Sequence, residues 1–139
     1  MKARSFRLLP HTADIRLEVR GEDLPGLFAA SLESLFSLIV DPRRVRPSES
    51  RTFKVPGNDP QELLFSLLRE GLLLFSADRF LVRSAHATMG LSGVEMKVAG
   101  EPFDASRHAA EREIKAVTCH GMTIERRPGG CLARFIVDV

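Results

Sequence analysis

The 139-residue sequence predicts an α+β fold: a single domain, residues 1–139, with two helices packed on one face of a largely antiparallel (mixed) β-sheet. Three observations carry this reading. Two segments repeat apolar residues at helical three-four spacing, and seven others read as strands from their alternation or their β-branched and aromatic content. Their order, strand, strand, helix, strand, helix and then four strands, lacks the regular alternation of a parallel α/β fold. The length is near the modal size of one domain. A content of 44% hydrophobic and 27% charged residues suits a buried core and excludes a disordered or collagen-like chain.

The first strand is read at 6–9 and the second at 15–20, where Ile15-Arg16-Leu17-Glu18-Val19-Arg20 alternates apolar and charged residues and so has one wet face. From Leu24 the residues Leu27, Phe28, Leu32, Leu35, Phe36 and Ile39 mark one helical face, with Asp23 as N-cap and Pro25 tolerated in the first turn. A third strand is placed at 51–55. The second helix is announced by Asn58-Asp59-Pro60-Gln61-Glu62: Asp59 caps, Pro60 fits the first helical position and Glu62 completes a capping box. Its face, Leu63, Leu64, Leu67, Leu68, Leu72 and Phe75, is broad enough to lie across a sheet. Strands follow at 80–88, 94–99, 114–126 and 131–139, with turns at 90–93 and 127–130. In the last hairpin, a turn centred on Pro128 and Gly129 pairs Arg126 with Cys131 and sets Cys119 opposite Asp138. Both cysteines are read as buried thiols, since neither zinc spacing nor a Cys-x-x-Cys motif is present.

The charges nearly cancel: 20 Lys and Arg against 18 Asp and Glu give +2. That balance argues against a domain whose main work is to coat nucleic acid. No signal-peptide pattern and no apolar run of about 18 residues is present, so the expectation is a soluble, cytoplasmic protein with no membrane association. Phosphate-cradling Gly-rich loops, a Gly-x-Ser-x-Gly elbow and a His-Glu-x-x-His helix are all missing, which disfavours an independent nucleotide-hydrolysing enzyme. Arg43, Arg44 and Arg46 form a basic cluster suited to a phosphate or an acidic partner, or simply to a solvated loop.

Three segments carry more chemistry than structure requires. His11-Thr12-Ala13-Asp14 precedes the alternating strand, where Thr12 and Asp14 also suit a turn. The chain ends on Phe135-Ile136-Val137-Asp138-Val139, bringing the Asp138 side chain and the Val139 carboxylate to the end of one strand. Two negative groups so placed call for a cation, a donor or a proton, unless the end frays. With Asp14 on a neighbouring strand, three oxygen donors converge, a set that suits Ca²⁺ or Mg²⁺ rather than zinc. The third segment is Glu113-Ile114-Lys115-Ala116-Val117-Thr118-Cys119-His120. Lys115 is one of only four lysines in a chain with 16 arginines, so either a point charge is wanted there or the lysine is merely solvated. Cys119 and His120 are adjacent, and alternation sends adjacent strand residues to opposite faces, against a nucleophile pair.

Read together, these segments resemble the archease family over nearly the whole chain. The resemblance is carried by His11-Thr12-Ala13-Asp14, the first helix running into Asp41, Leu63-Leu64 and Gly100-Glu101-Pro102-Phe103-Asp104 with His108. It continues through Ile114-Lys115-Ala116-Val117-Thr118 with His120, and ends on Asp138-Val139. Cys119 stands where the family often has Tyr, and the Trp of many relatives is absent, departures that concern packing. The resemblance implies an accessory protein rather than an enzyme: a partner of the RtcB-type RNA ligase of tRNA splicing and RNA repair. Such a partner promotes formation of the ligase's guanylated histidine and repeated turnover, and contacts RNA only indirectly. It also implies a divalent metal, Ca²⁺ being the expected ion, held by Asp14, Asp138 and Val139, with His11, Asp41, Lys115 and His120 as partner-function candidates. The alternatives are a chaperone-like modulator of an RNA-modifying enzyme, such as a tRNA methyltransferase, and an RNA-binding module, for which the absence of Tyr and Trp leaves few stacking platforms.

Overall fold

Along the chain run β1 (Ser5–Leu9), β2 (Ile15–Gly21), α1 (Leu24–Ile39), a short 3-10 helix (Pro42–Arg44), β3 (Glu49–Pro56), α2 (Pro60–Asp78), β4 (Phe80–Gly90), β5 (Gly93–Pro102), β6 (Ala116–Arg127) and β7 (Gly130–Asp138). The structure is a computed structural model that describes residues 5–9 and 14–139. The α+β class and its two helices are as the sequence predicts. All strand pairs among the described residues are antiparallel, and they divide between two sheets, a four-stranded one in the order β1-β2-β7-β6 and a three-stranded one in the order β3-β5-β4.

The division into two sheets shows in α1. Its predicted stripe is buried, and so are Ala29, Ala30, Ser31, Ser34 and Leu38, making 12 buried residues of 16. A helix buried so widely must be covered from more than one side. α1 packs on β2 and β7 of the first sheet and on β4 of the second, while α2 packs on β6 and on β3 and β4. The two helices meet where Gly71 faces Leu32: a Cβ at Gly71 would lie 2.3 Å from Leu32 Cδ1, so a larger residue there would require the Leu32 side chain to shift. Leu17, Val19, Phe28, Leu64, Leu67, Phe80 and Phe135 belong to one core cluster that draws on both sheets and both helices.

Asp23 and Asp59 are the N-caps that the sequence announces. The Asp23 carboxylate accepts the Gly26 N–H at 2.8 Å and that of Asp59 accepts the Glu62 N–H at 3.0 Å, each satisfying a donor that the first turn leaves open. α2 ends at Arg79 in the left-handed region (φ 56°), where the guanidinium lies over the rings of Phe75 and Phe103.

The last hairpin departs from prediction in its middle. Arg126 does face Cys131, but β6 slips between Thr118, opposite Ile136, and Thr123, opposite Arg134. Four residues, Cys119 to Met122, therefore stand against Phe135 alone, with Gly121 at φ 74°. The offset of three residues places Ala116, not Cys119, opposite Asp138. It also lifts Cys119 off the sheet: that thiol is exposed, contrary to its reading as buried, while Cys131 is buried as predicted. Burial pushes the Cys131 thiol pKa up.

A second irregularity lies in β4, where Val82 faces Gly100 and Ser84 faces Ala99, leaving Arg83 outside the pairing. Arg83 uses this freedom to donate from Nη1 to the carbonyls of Pro42 (3.1 Å) and Val45 (2.9 Å), which fixes the loop after α1. Among the described residues no helix is long and apolar enough to cross a membrane.

Candidate functional site

The two strands named for their carboxylates are neighbours. β2 opens with Ile15 opposite Val137, so one further step of the same register sets Asp14 opposite Asp138. On the other side Asp138 faces Ala116, and the Lys115 N–H donates to the Asp138 carbonyl at 2.7 Å. Leu17, Val19, Ala133, Phe135 and Val137 fill the core, so by alternation Asp14, Arg16, Glu18, Arg134, Ile136 and Asp138 share the face turned from the helices. Asp14 and Asp138 thus stand together at one end of that face, with the exposed residue Val139 immediately beyond.

Further along the same face the charges are paired. Glu18 accepts from Arg7 and Arg134, each at 2.9 Å, Arg134 also reaches Glu125 at 2.8 Å, and Glu125 pairs with Arg127 at 3.0 Å. Burial of Glu18 works to raise its pKa, but the bonds from Arg134 and Arg7 outweigh it and hold the carboxyl below its ordinary value. This ladder joins three arginines to two glutamates along the face.

Asp41 reaches the same end by topology, since the short link after β2 turns the chain back and α1 returns along that strand. Its carboxylate caps the 3-10 helix, accepting the Arg43 N–H at 3.0 Å, and takes the Arg43 guanidinium at 3.2 and 2.9 Å. The Arg43 side chain lowers the Asp41 pKa. His120 lies in the β6 bulge, exposed, its N–H donating to Thr118 Oγ1 at 3.1 Å. The slip in register sets it apart from the Asp14–Asp138 row. Lys115 is exposed and joins the row through its main chain. His11 lies outside the described residues.

Sequence reasoning missed a buried cluster that organises the surrounding loops. Glu101, at the end of β5 and 5% exposed, accepts through Oε1 from the Arg107 guanidinium and through Oε2 from the Arg46 N–H (2.8 Å) and the His108 ring (2.9 Å). His108 accepts the Asp104 N–H at Nδ1 (2.8 Å), so its Nε2 is the nitrogen that carries a proton toward Glu101. The irregular segment 103–115 leaves this knot, donates from Glu111 N–H to the Ile39 carbonyl (2.7 Å) and from Arg112 to that of Leu38 (3.1 Å), buries Ile114, and ends on the Lys115–Asp138 bond. Ordering such a segment costs about 1–2 kcal/mol per residue. Main-chain hydrogen bonds return about 1 kcal/mol each. The knot and the burial of Ile114 are therefore required to hold it. The only sequence signal for the cluster is the spacing of Glu101, Arg107 and His108 around Pro102.

The Arg107 bond, outweighing the burial that opposes it, and the donors Arg46 and His108 lower the Glu101 pKa from 4.5 to about 2. A pKa lower in the folded than in the unfolded chain gives stability that is present above about 4.5 and is lost as pH falls through about 2. The urea midpoint is expected to drop over that window in the native protein and to vary less in Glu101→Gln. Equal acid sensitivity of the two would show that Glu101 does not carry the effect.

The chain can now be set beside known proteins. The sequence model of the Archease protein family (MTH1598/TM1083) matches residues 6–139. The chain belongs to the archease family. Protein archease of Thermococcus gammatolerans is 36% identical over 135 residues, covering 93% of this chain and 94% of that protein. Protein archease of Pyrococcus furiosus is 33% identical, with 98% and 99% covered. The solution structure of Methanobacterium thermoautotrophicum protein 1598 is similar with a TM-score of 0.77 at 28% identity, over 96% of this chain and 98% of that one. A crystal structure of an archease and possible chaperone from Thermotoga maritima shares the fold, with a TM-score of 0.69 at 16% identity and 96% of each chain covered.

Within this archease the donor set at the sheet end is made of oxygens alone. Among the described residues no three His, Cys, Asp or Glu side chains stand close enough to hold a metal ion. The two carboxylates of Asp14 and Asp138 need main-chain oxygen from Val139, and water, to complete a shell. Hard cations accept such mixed shells, whereas a structural zinc site does not. The residues fit Ca²⁺ by type, with a protein shell that stays open.

Proposed function

We propose that this archease is an accessory protein of an RtcB-type RNA ligase, promoting guanylation of the ligase histidine and repeated turnover in tRNA splicing and RNA repair. The observation that carries the reading is the pairing of β2 with β7 up to Ile15 and Val137, whose register brings Asp14 and Asp138 to the same end of that face, where the Lys115 N–H bonds the Asp138 carbonyl. Asp14, Asp138 and Val139 hold a divalent ion, Ca²⁺ by the hardness of the donors. When bound, that ion supplies positive charge against the nucleotide phosphates.

The chain's own residues do the rest. Asp14 and Asp138 present paired negative charge to the ligase, the Lys115 main chain fixes where the Asp138 strand ends, and the Lys115 side chain offers a point charge to phosphate. In the ligase the histidine nitrogen bonds to the α-phosphorus of GTP as the bond to pyrophosphate breaks, and the accessory protein contributes no reacting atom.

Guanylation time courses with the cognate ligase, with and without Ca²⁺, test this reading. Asp14→Asn and Asp138→Asn are expected to keep the native circular dichroism spectrum, and the exposed Asp138→Asn a melting temperature within a few degrees, since surface changes shift stability by about 0.5 kcal/mol or less. Both are expected to abolish stimulation and calorimetric Ca²⁺ binding. Full stimulation by both variants would overturn the reading and favour a chaperone-like modulator that acts without the acidic end.

A further inference from the structure

We propose that Glu101 is a positioning residue for the acidic end of the sheet: its buried carboxylate ties the loop that follows Asp41 to the segment that ends on Lys115 and thereby holds that segment against Asp138. The inference rests on the functional reading above only where it concerns the ion.

Glu101 is a single group that bonds directly to two pieces of chain. Through Oε2 it holds the Arg46 N–H, which fixes the far end of the loop begun by Asp41 and the 3-10 helix. Through Oε1 and Oε2 it holds Arg107 and His108, which fix the start of the segment that reaches Asp138. The rest of that segment is exposed except for Ile114, and its anchors at Glu111 and Arg112 fall on the last carbonyls of α1, close to Asp41 in the chain. Three donors converge on one carboxylate, so an amide cannot replace it: either orientation of glutamine turns an N–H toward at least one donor. Groups that orient the ligands of an ion are worth about 10- to 100-fold in its affinity.

Amide hydrogen exchange and Ca²⁺ calorimetry on the full chain test this, comparing the native protein with Glu101→Gln. Exchange at Glu111 and Lys115 is expected to quicken about tenfold or more while Leu17 and Phe135 in the sheet stay within about twofold, and Ca²⁺ affinity is expected to fall about tenfold. Native exchange rates at Glu111 and Lys115 in the variant would overturn the proposal, as would quickened exchange with unchanged Ca²⁺ affinity. Should Glu101→Gln not fold, Arg107→Ala removes one arm of the knot from a side chain already 32% exposed, and the same readings decide. If the native protein binds no Ca²⁺, the functional reading fails by itself, and the exchange rates still decide whether Glu101 holds Lys115.

Discussion

Gly100→Ala is expected to cost more than about 4 kcal/mol, among the largest effects a single substitution produces. The reason is space rather than backbone freedom. A Cβ at Gly100 would lie 1.8 Å from the Leu81 carbonyl oxygen, 2.9 Å from the Leu81 carbonyl carbon and 3.2 Å from the Arg83 nitrogen, all main-chain atoms that no rotamer change can move. Relief requires β4 to part from β5 at the point where Arg83 leaves the pairing, which would also release the Pro42 and Val45 carbonyls. Glu101 is the next residue, so the strain would reach the knot as well. Thermal unfolding is expected at least about 10 °C lower than in the native protein. A loss of only a degree or two would mean that the irregularity in β4 absorbs a side chain.

Phe135→Ala is expected to cost about 3–5 kcal/mol. Phe135 is 1% exposed, faces Leu17 on β2 and, on its other side, is the single β7 residue set against the four residues Cys119 to Met122. A regular ladder can close over a lost ring. Here the facing strand is already bowed and anchored at Thr118 and Thr123, so the cavity is expected to persist. Phe135→Leu, which retains most of the volume, is expected to lose about 1 kcal/mol. Urea midpoints at constant m-value measure both, and a cost for Phe135→Ala below about 1 kcal/mol would show that the bulge collapses into the space.

The helices and their starts were legible because their signals are local: Asp23 and Asp59 do in the fold what their place before an apolar stripe announces. The strands that carry Asp14 and Asp138 were legible from their alternation, but only the structure shows that β2 and β7 are neighbours, with Ile15 opposite Val137. The second sheet was not, because the choice of strand partner depends on contacts far apart in sequence, and an α1 buried on several sides differs from an ordinary amphipathic helix only by a few small residues. Gly121 was the overlooked sign of the β6 bulge, a lone glycine inside a strand pattern, and missing it misplaced both Cys119 and the partner of Asp138. Glu101 bonds to Arg46, 55 positions away, and nothing in its immediate neighbourhood foretells that its carboxylate would be buried.

The β6 bulge has a bearing on whether another strand can add to this edge of the sheet. β6 lies at the edge of its sheet, and a long straight edge is a template on which another chain can add a strand. With four residues bowed out at its centre, β6 offers no unbroken row of donors and acceptors. The edge of β4 is blocked differently: the Ala85 N–H is taken by the Glu33 carboxylate at 2.9 Å, and Arg83 breaks the ladder beside it. A neighbour arriving along either edge meets side chains and a broken ladder, which raises the barrier to sheet-to-sheet aggregation.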